Sequence, residues 1–237
     1  MTMSRDRRGL ERPEGAANAT INRELSALKR MFRLGERAGK VGVRPYVPML
    51  REDNTRTGFF DAKEFDAVLK YLPDDLRPVF EVAYITGWRV RSEIVTRQKA
   101  HVDLGAGWLR LEPGEAKNRE GRMFPLTPRL REVLQDQLDR TRTTEIETGR
   151  VIPWLFHRNG DPIRSFYRAW RTACKKAGLA GRIPHDFRRT AVRNLERAGV
   201  PRSTAMKMVG HRTEAIYRRC AIADDESKKR NGGQGEN

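Results

Sequence analysis

The chain has 237 residues and two cysteines, Cys174 and Cys220, which form neither a disulfide scaffold nor a cysteine-based zinc site. Its 48 Lys and Arg against 31 Asp and Glu leave a net charge of +17, a surface suited to a polyanion, nucleic acid above all. No stretch approaches a membrane span, and the opening MTMSRDRRGLERPEG has no apolar signal core. The expectation is a reduced, cytoplasmic protein with no membrane association.

Residues 1–17 are polar and predict a disordered arm. In ATINRELSALKRMFRLGERAGK, Ile21, Leu25, Leu28 and Phe32 recur at helical spacing with basic residues on the other faces, and Gly39 ends the helix. VGVRPYVPMLREDNTRTG holds prolines and no period, and reads as a linker. A second region opens near Phe59. There DAKEFDAVLKYL offers Asp61 as N-cap, Glu64 three residues on, and Phe65, Val68, Leu69 and Leu72 on one face. DDLRPVFEVAYITG predicts a mostly buried helix that stops at Gly87. GWLRLEPGEAKNREGRMFPL predicts two short strands around a polar, glycine-rich turn. TPRLREVLQDQLDR has Thr127 as cap, Pro128 at the first helical position, and Leu130, Val133, Leu134 and Leu138 facing inward. SFYRAWRTACKKAG and PHDFRRTAVRNLERAG predict helices, as does PRSTAMKMVG, which ends at Gly210. GHRTEAIYRRCAI forms the last helix, and residues 224–237 predict a disordered tail. The fold class is mainly α with a small antiparallel β-sheet, α+β.

Four stretches hold side chains suited to phosphate chemistry. In HDFRRT, His185 and Arg188 lie three apart at a helix start and share a face. In TGWRVRSEI, Arg89 follows a helix-stopping glycine, and Glu93 stands ready to buttress its guanidinium. Lys117 sits in the hairpin turn, from which an ammonium can reach a leaving oxygen. His211 follows Gly210, with Tyr217 and Cys220 six and nine residues further on. Each alone is weak, and a solvated helix face, helix end or hairpin is the commoner reading of such residues.

Taken in order, TGWR…SE, the hairpin lysine, HDFRRTAV and GH resemble the tyrosine recombinase, or phage integrase, family over roughly residues 56–223. The resemblance implies the DNA breaking-rejoining catalytic-domain fold over residues 51–223. The helix within 18–50 then resembles the end of that family's core-binding domain, a remnant too short for the usual four helices. It also implies site-specific recombination of double-stranded DNA at attachment-type sites, in homo-tetramers weakened here by the polar tail, and a nucleoid-associated location. A tyrosine would attack a phosphodiester to give a 3′-phosphotyrosyl link, with no metal or other cofactor. By the same resemblance Arg89 and Arg188 would hold the non-bridging oxygens, and Lys117 would protonate the 5′-oxygen. His185 would accept the nucleophile's proton, His211 would hydrogen-bond the phosphate, and Glu93 would support the site. The family's tyrosine falls nine residues after the Gly-His histidine, where this chain has Cys220. Tyr217, one turn earlier, is the possible substitute nucleophile. A second departure is Lys99, which stands where relatives commonly carry tryptophan and is expected to expose or unpack a core position. The alternative function is a catalytically inactive DNA-binding relative that occupies recombination sites.

Overall fold

The computed structural model describes residues 16–52, 58–115, 120–211 and 213–221. The expectations for the arm before residue 16, for Lys117 and for the tail 224–237 therefore lie outside the described residues. The chain divides into two compact units, Met1–Arg56 and Thr57–Asn237.

In the first unit, α1 spans Asn18–Arg37, and the chain turns at Gly39 with φ of +67°. Asn22 is its one buried residue. The Asn22 amide donates to Leu50 O at 2.8 Å and to Glu52 Oε1 at 2.7 Å, while its Oδ1 accepts from Leu50 N, clipping the following segment to the helix. Leu28 of the apolar stripe remains exposed, as do Met31 and Leu34 elsewhere on the helix.

The second unit is mostly helical. Helix α2 (Ala62–Leu69) opens with the reciprocal Asp61–Glu64 capping box, which satisfies two backbone donors that the first turn leaves bare. Helix α3 (Arg77–Thr86) has Pro78 in its first turn and ends at Gly87 in the left-handed conformation. A π-helical turn, Val90–Ile94, and a single 3-10 turn, Lys99–His101, lead into an antiparallel sheet of β1 (Val102–Asp103), β2 (Trp108–Leu111) and β3 (Arg122–Pro125). In that sheet Leu109 pairs with Phe124 and Trp108 with Pro125. Helix α4 (Pro128–Thr148) is capped by Thr127 and runs two turns past the segment DQLDR. A two-stranded ribbon follows, β4 (His157–Arg158) with β5 (Asp161–Pro162). Then come α5 (Tyr167–Lys176), α6 (Asp186–Arg197), α7 (Arg202–Val209) and α8 (Glu214–Ala221).

Helix α3 is the centre of the core. Val79, Phe80, Val82 and Ala83 are all fully buried on it. Phe80 stands 4.5 Å from the Trp170 ring, and Trp170 meets Phe187 of α6 edge-on at 5.3 Å. Phe60 closes this aromatic cluster, 4.8 Å from Phe187. Its backbone is fixed to α6 through the Thr190 hydroxyl, which accepts from Phe60 N, and Arg193, which donates to Phe60 O. This aromatic cluster packs between α3 and α6, and aromatic side chains cover large apolar areas.

Three features depart from the sequence expectation. Strand β1 adds a third strand to the predicted pair, and β4–β5 is a second sheet; two-residue strands hold too few positions to show a period. The π-helical turn, which buries Glu93, is another. Lastly, the Lys99 position is neither unpacked nor bare. Its ammonium pairs with Glu145 Oε1 at 2.6 Å across to α4, and that carboxylate also accepts from Ile152 N.

Candidate active site

The site assembles where α7 ends. A helix C terminus leaves carbonyls without intrahelical donors, and here three consecutive ones are capped by side chains from distant segments. Trp88 Nε1 donates to Met208 O at 2.9 Å, Arg122 Nη1 to Val209 O at 2.8 Å, and Arg188 Nη2 to Gly210 O at 2.8 Å. Cationic donors suit the negative end of a helix. His211, the next residue, is thereby fixed against all three.

Two glycines permit the approach. Gly87 has φ of +66°, and a Cβ there would come within 2.8 Å of Ala191 Cβ, so only glycine lets the end of α3 cross α6 beside Arg188. The freed carbonyl accepts from Arg188 Nη1 at 3.2 Å. Gly210 has φ of +73°, and a Cβ there would fall on the Arg122 guanidinium.

Arg89, Arg122 and Arg188 gather around one carboxylate. Glu93 is fully buried; its Oε2 accepts from Arg89 N at 2.8 Å, and its Oε1 from Arg122 Nη2 at 2.7 Å and from the Arg89 guanidinium. Burial would raise its pKa, but Arg122, the Arg89 N–H and the Arg89 and Arg188 charges outweigh that and hold the carboxyl below the usual range. Arg188 is almost fully buried, and burial together with the Arg89 charge lowers its guanidinium to about 10. Three guanidiniums share one anion, so the cluster keeps an excess of positive charge facing the space beside it.

His211 is neutral. Burial and the Arg188, Arg89, His185 and Arg122 charges drive its pKa down to about 3. Its Nε2 accepts from Arg188 Nε at 2.9 Å, and because arginine only donates, the ring proton sits on Nδ1. In the state described, the imidazole therefore braces Arg188 rather than presenting an Nε2 proton to a phosphate.

Cys220, half-buried on α8, places Sγ 3.9 Å from the same His211 Nε2. Burial raises its thiol, partly opposed by Arg189 and Arg188. Tyr217 goes elsewhere. Its ring is fully buried in a small cluster with Ala191, Val192, Ala205 and Val209, edge-on to His211 at 5.8 Å. Burial and the Glu196 carboxylate push its phenol up to about 12. His185, the residue before α6, is exposed and lines one cavity with Arg89 and Arg188. The structure thus brings Arg89, Glu93, Arg188, His211 and Cys220 together, sets His185 at the rim and Tyr217 behind the site; Lys117 lies outside the described residues.

Sequence reasoning missed Arg122 and gave Trp88 no role. A signal for Arg122 was present: it shares the inward phase of β3 with buried Phe124, whereas Met123 between them is exposed. A charged side chain in that phase needs a buried partner. Among the described residues no group of His, Cys, Asp and Glu is suited to a metal, and no helix is long and apolar enough to cross a membrane.

The sequence profile of the Phage integrase family matches residues 59–225. The integrase of Salmonella phage P22 is 27% identical over a 225-position alignment that covers 89% of this chain and 55% of that protein. The tyrosine recombinase XerC of Lactobacillus delbrueckii subsp. bulgaricus is 27% identical over a 219-position alignment that covers 85% of this chain and 72% of that one. The chain thus spans about half the length of the phage P22 relative. Its architecture is shared with lambda integrase(75-356), solved as a dimer bound to a COC' core site, at a TM-score of 0.66 and 18% identity over 84% of this chain and 74% of that one. With the profile matched across most of the second unit and the fold shared with a solved integrase, the chain belongs to the phage integrase family.

Proposed function

We propose that this chain is a DNA strand-exchange protein of the site-specific recombinase type, with its phosphodiester-holding cluster intact and its cleavage step severely slowed at Cys220. The observation that carries the reading is the meeting of Arg89, Arg188 and His211 at the end of α7, with Cys220 beside them. Guanidiniums fixed before the substrate arrives stabilise the charge of a five-coordinate phosphorus without reorganising during the reaction. On this reading double-stranded DNA with an attachment-type sequence is the partner, bound in dimers or tetramers. Lys117 protonates the 5′-oxygen and His185 takes the nucleophile's proton.

Three features oppose attack by Cys220. A cysteine sulfur stops several ångström short of where a tyrosine oxygen at the same position would lie, and about 1 Å of misplacement costs roughly a hundredfold. Burial raises the thiol. The neighbouring imidazole nitrogen already accepts from Arg188 and is a poor base for the thiol proton. The second reading, cleavage by the Cys220 thiolate, draws on the 3.9 Å approach to His211 and the attraction of Arg188 and Arg189 for an anionic sulfur.

A nicked suicide duplex bearing the protein's attachment site separates the two. The expected result is no covalent adduct on a denaturing gel from the natural chain and an adduct from Cys220→Tyr. An adduct from the natural chain that is lost in Cys220→Ala supports the second reading; one lost in Tyr217→Phe instead assigns the nucleophile to Tyr217. If Cys220→Tyr binds the duplex yet forms no adduct, the intact-cluster reading fails.

A further inference from the structure

The cavity next to the arginines is larger and more apolar than a phosphate needs. It encloses about 480 Å³. Arg89, Arg91, His185 and Arg188 supply its charged lining, and the rest of its wall includes Val90, Ile183, Pro184 and the rings of Phe166 and Tyr167. A bare phosphate is satisfied by the arginine donors and gains nothing from the apolar wall. A pocket of this size, mostly apolar with a few convergent polar groups, has the character of a site for a small organic group.

The aromatic wall is built on the core. Phe166 meets core residue Phe80 edge-on at 5.7 Å and holds the Tyr167 ring at 4.4 Å with a 30° tilt. Tyr167, at the start of α5, is nonetheless 47% exposed. An aromatic ring fixed from behind and open in front, within the same cavity as two phosphate-directed arginines, fits the chemistry of a nucleotide: anion at one end, flat π-face at the other.

We propose that this cavity is a nucleoside subsite. It receives the sugar adjoining the phosphate held by Arg89 and Arg188, and the base on that sugar once it leaves the duplex stack, with the base against Tyr167. The inference rests on the reading of that cluster as a phosphodiester site and adds the group that lies beside it. Stacking is tolerant of sequence, so Tyr167 contributes affinity and registers the strand rather than selecting one base.

Titration calorimetry of the intact chain at low salt tests this with three probes: inorganic phosphate, an abasic deoxyribose 3′,5′-bisphosphate, and thymidine 3′,5′-bisphosphate. The thymidine compound is expected to bind roughly five- to a hundredfold more tightly than its abasic analogue, the range typical of base–aromatic stacking. Tyr167→Ala should erase that advantage and leave the abasic affinity unchanged, and Tyr167→Phe should preserve it. Equal affinity of the two bisphosphates for the natural chain overturns the subsite while leaving the phosphate cluster standing, as does an advantage that survives Tyr167→Ala. Failure of all three probes to bind overturns the phosphodiester reading itself, and the subsite with it.

Discussion

Glu93 is the anion on which the arginine cluster depends. It is buried with Arg122 and shares Arg89, so Glu93→Gln leaves buried guanidinium charge without its counter-ion. Removing one member of such a pair costs about 3 kcal/mol or more, which urea unfolding at neutral pH will show as a lower midpoint with an unchanged slope. The site's share of the pH dependence follows from two lowered pKa values. His211 has a folded value of about 3 against an ordinary value near 6.5, so between those limits the unfolded chain binds the extra proton. Its contribution to stability is complete above about 6.5 and is lost as the pH falls towards 3. Glu93 acts in the same direction lower down, its contribution fading as the pH drops below the usual carboxylate range. His211→Gln should reduce the slope of the stability profile between pH 6.5 and 4.5, where the lowered His101 and His157 still contribute, while leaving the loss below it. The cysteines divide just as clearly. Cys174 is buried and its thiol is pushed up to about 12 by burial and by Asp186, whereas Cys220 is only half-buried. A thiol reagent added to the native protein at pH 8 should label Cys220 first and Cys174 only on unfolding, as mass spectrometry of the digested chain will report; equal labelling would contradict the burial described.

At the scale of elements, the crossing of α3 over α6 sets the site. Gly87→Ala places a methyl against Ala191 in a backbone conformation that side chains disfavour. It should destabilise the fold by about 2 kcal/mol and weaken phosphate binding beyond what the lost stability explains, since the α3 end carries Arg89 and the Arg188 acceptor carbonyl. What was legible in the sequence follows the same division between local and distant causes. The Asp61–Glu64 box, the Thr127–Pro128 start and the stops at Gly87 and Gly210 were readable because each is decided within a few residues. The pairing of Lys99 with Glu145 spans 46 positions, and nothing near Lys99 announces it. The third strand was illegible for a related reason: Val102 and Asp103 become a strand only by pairing with Leu109 and Trp108. The motif residues of the site could be listed from sequence, but not their arrangement. That Cys220 approaches His211 while Tyr217 turns into the α6–α7–α8 cluster depends on how α8 lies on α6, which residue order does not contain.

For the whole molecule, the net charge of +17 makes the strength of DNA binding a question of salt. Each neutralised phosphate releases counterions, so a footprint of six or more contacts predicts roughly a thousandfold weaker binding between 50 and 200 mM salt. Fluorescence anisotropy with a labelled duplex will measure it, and a flat profile would exclude the phosphate backbone as the main contact. The capped end of α7 has a larger consequence. Its three carbonyls take donors from the segment after α3, from β3 and from α6, so His211 has no defined place until stretches more than a hundred residues apart have come together. Anion affinity should then vanish in one step with global unfolding, with no partly folded state that retains it. The centre that would meet the duplex thus exists only where those distant stretches are held together.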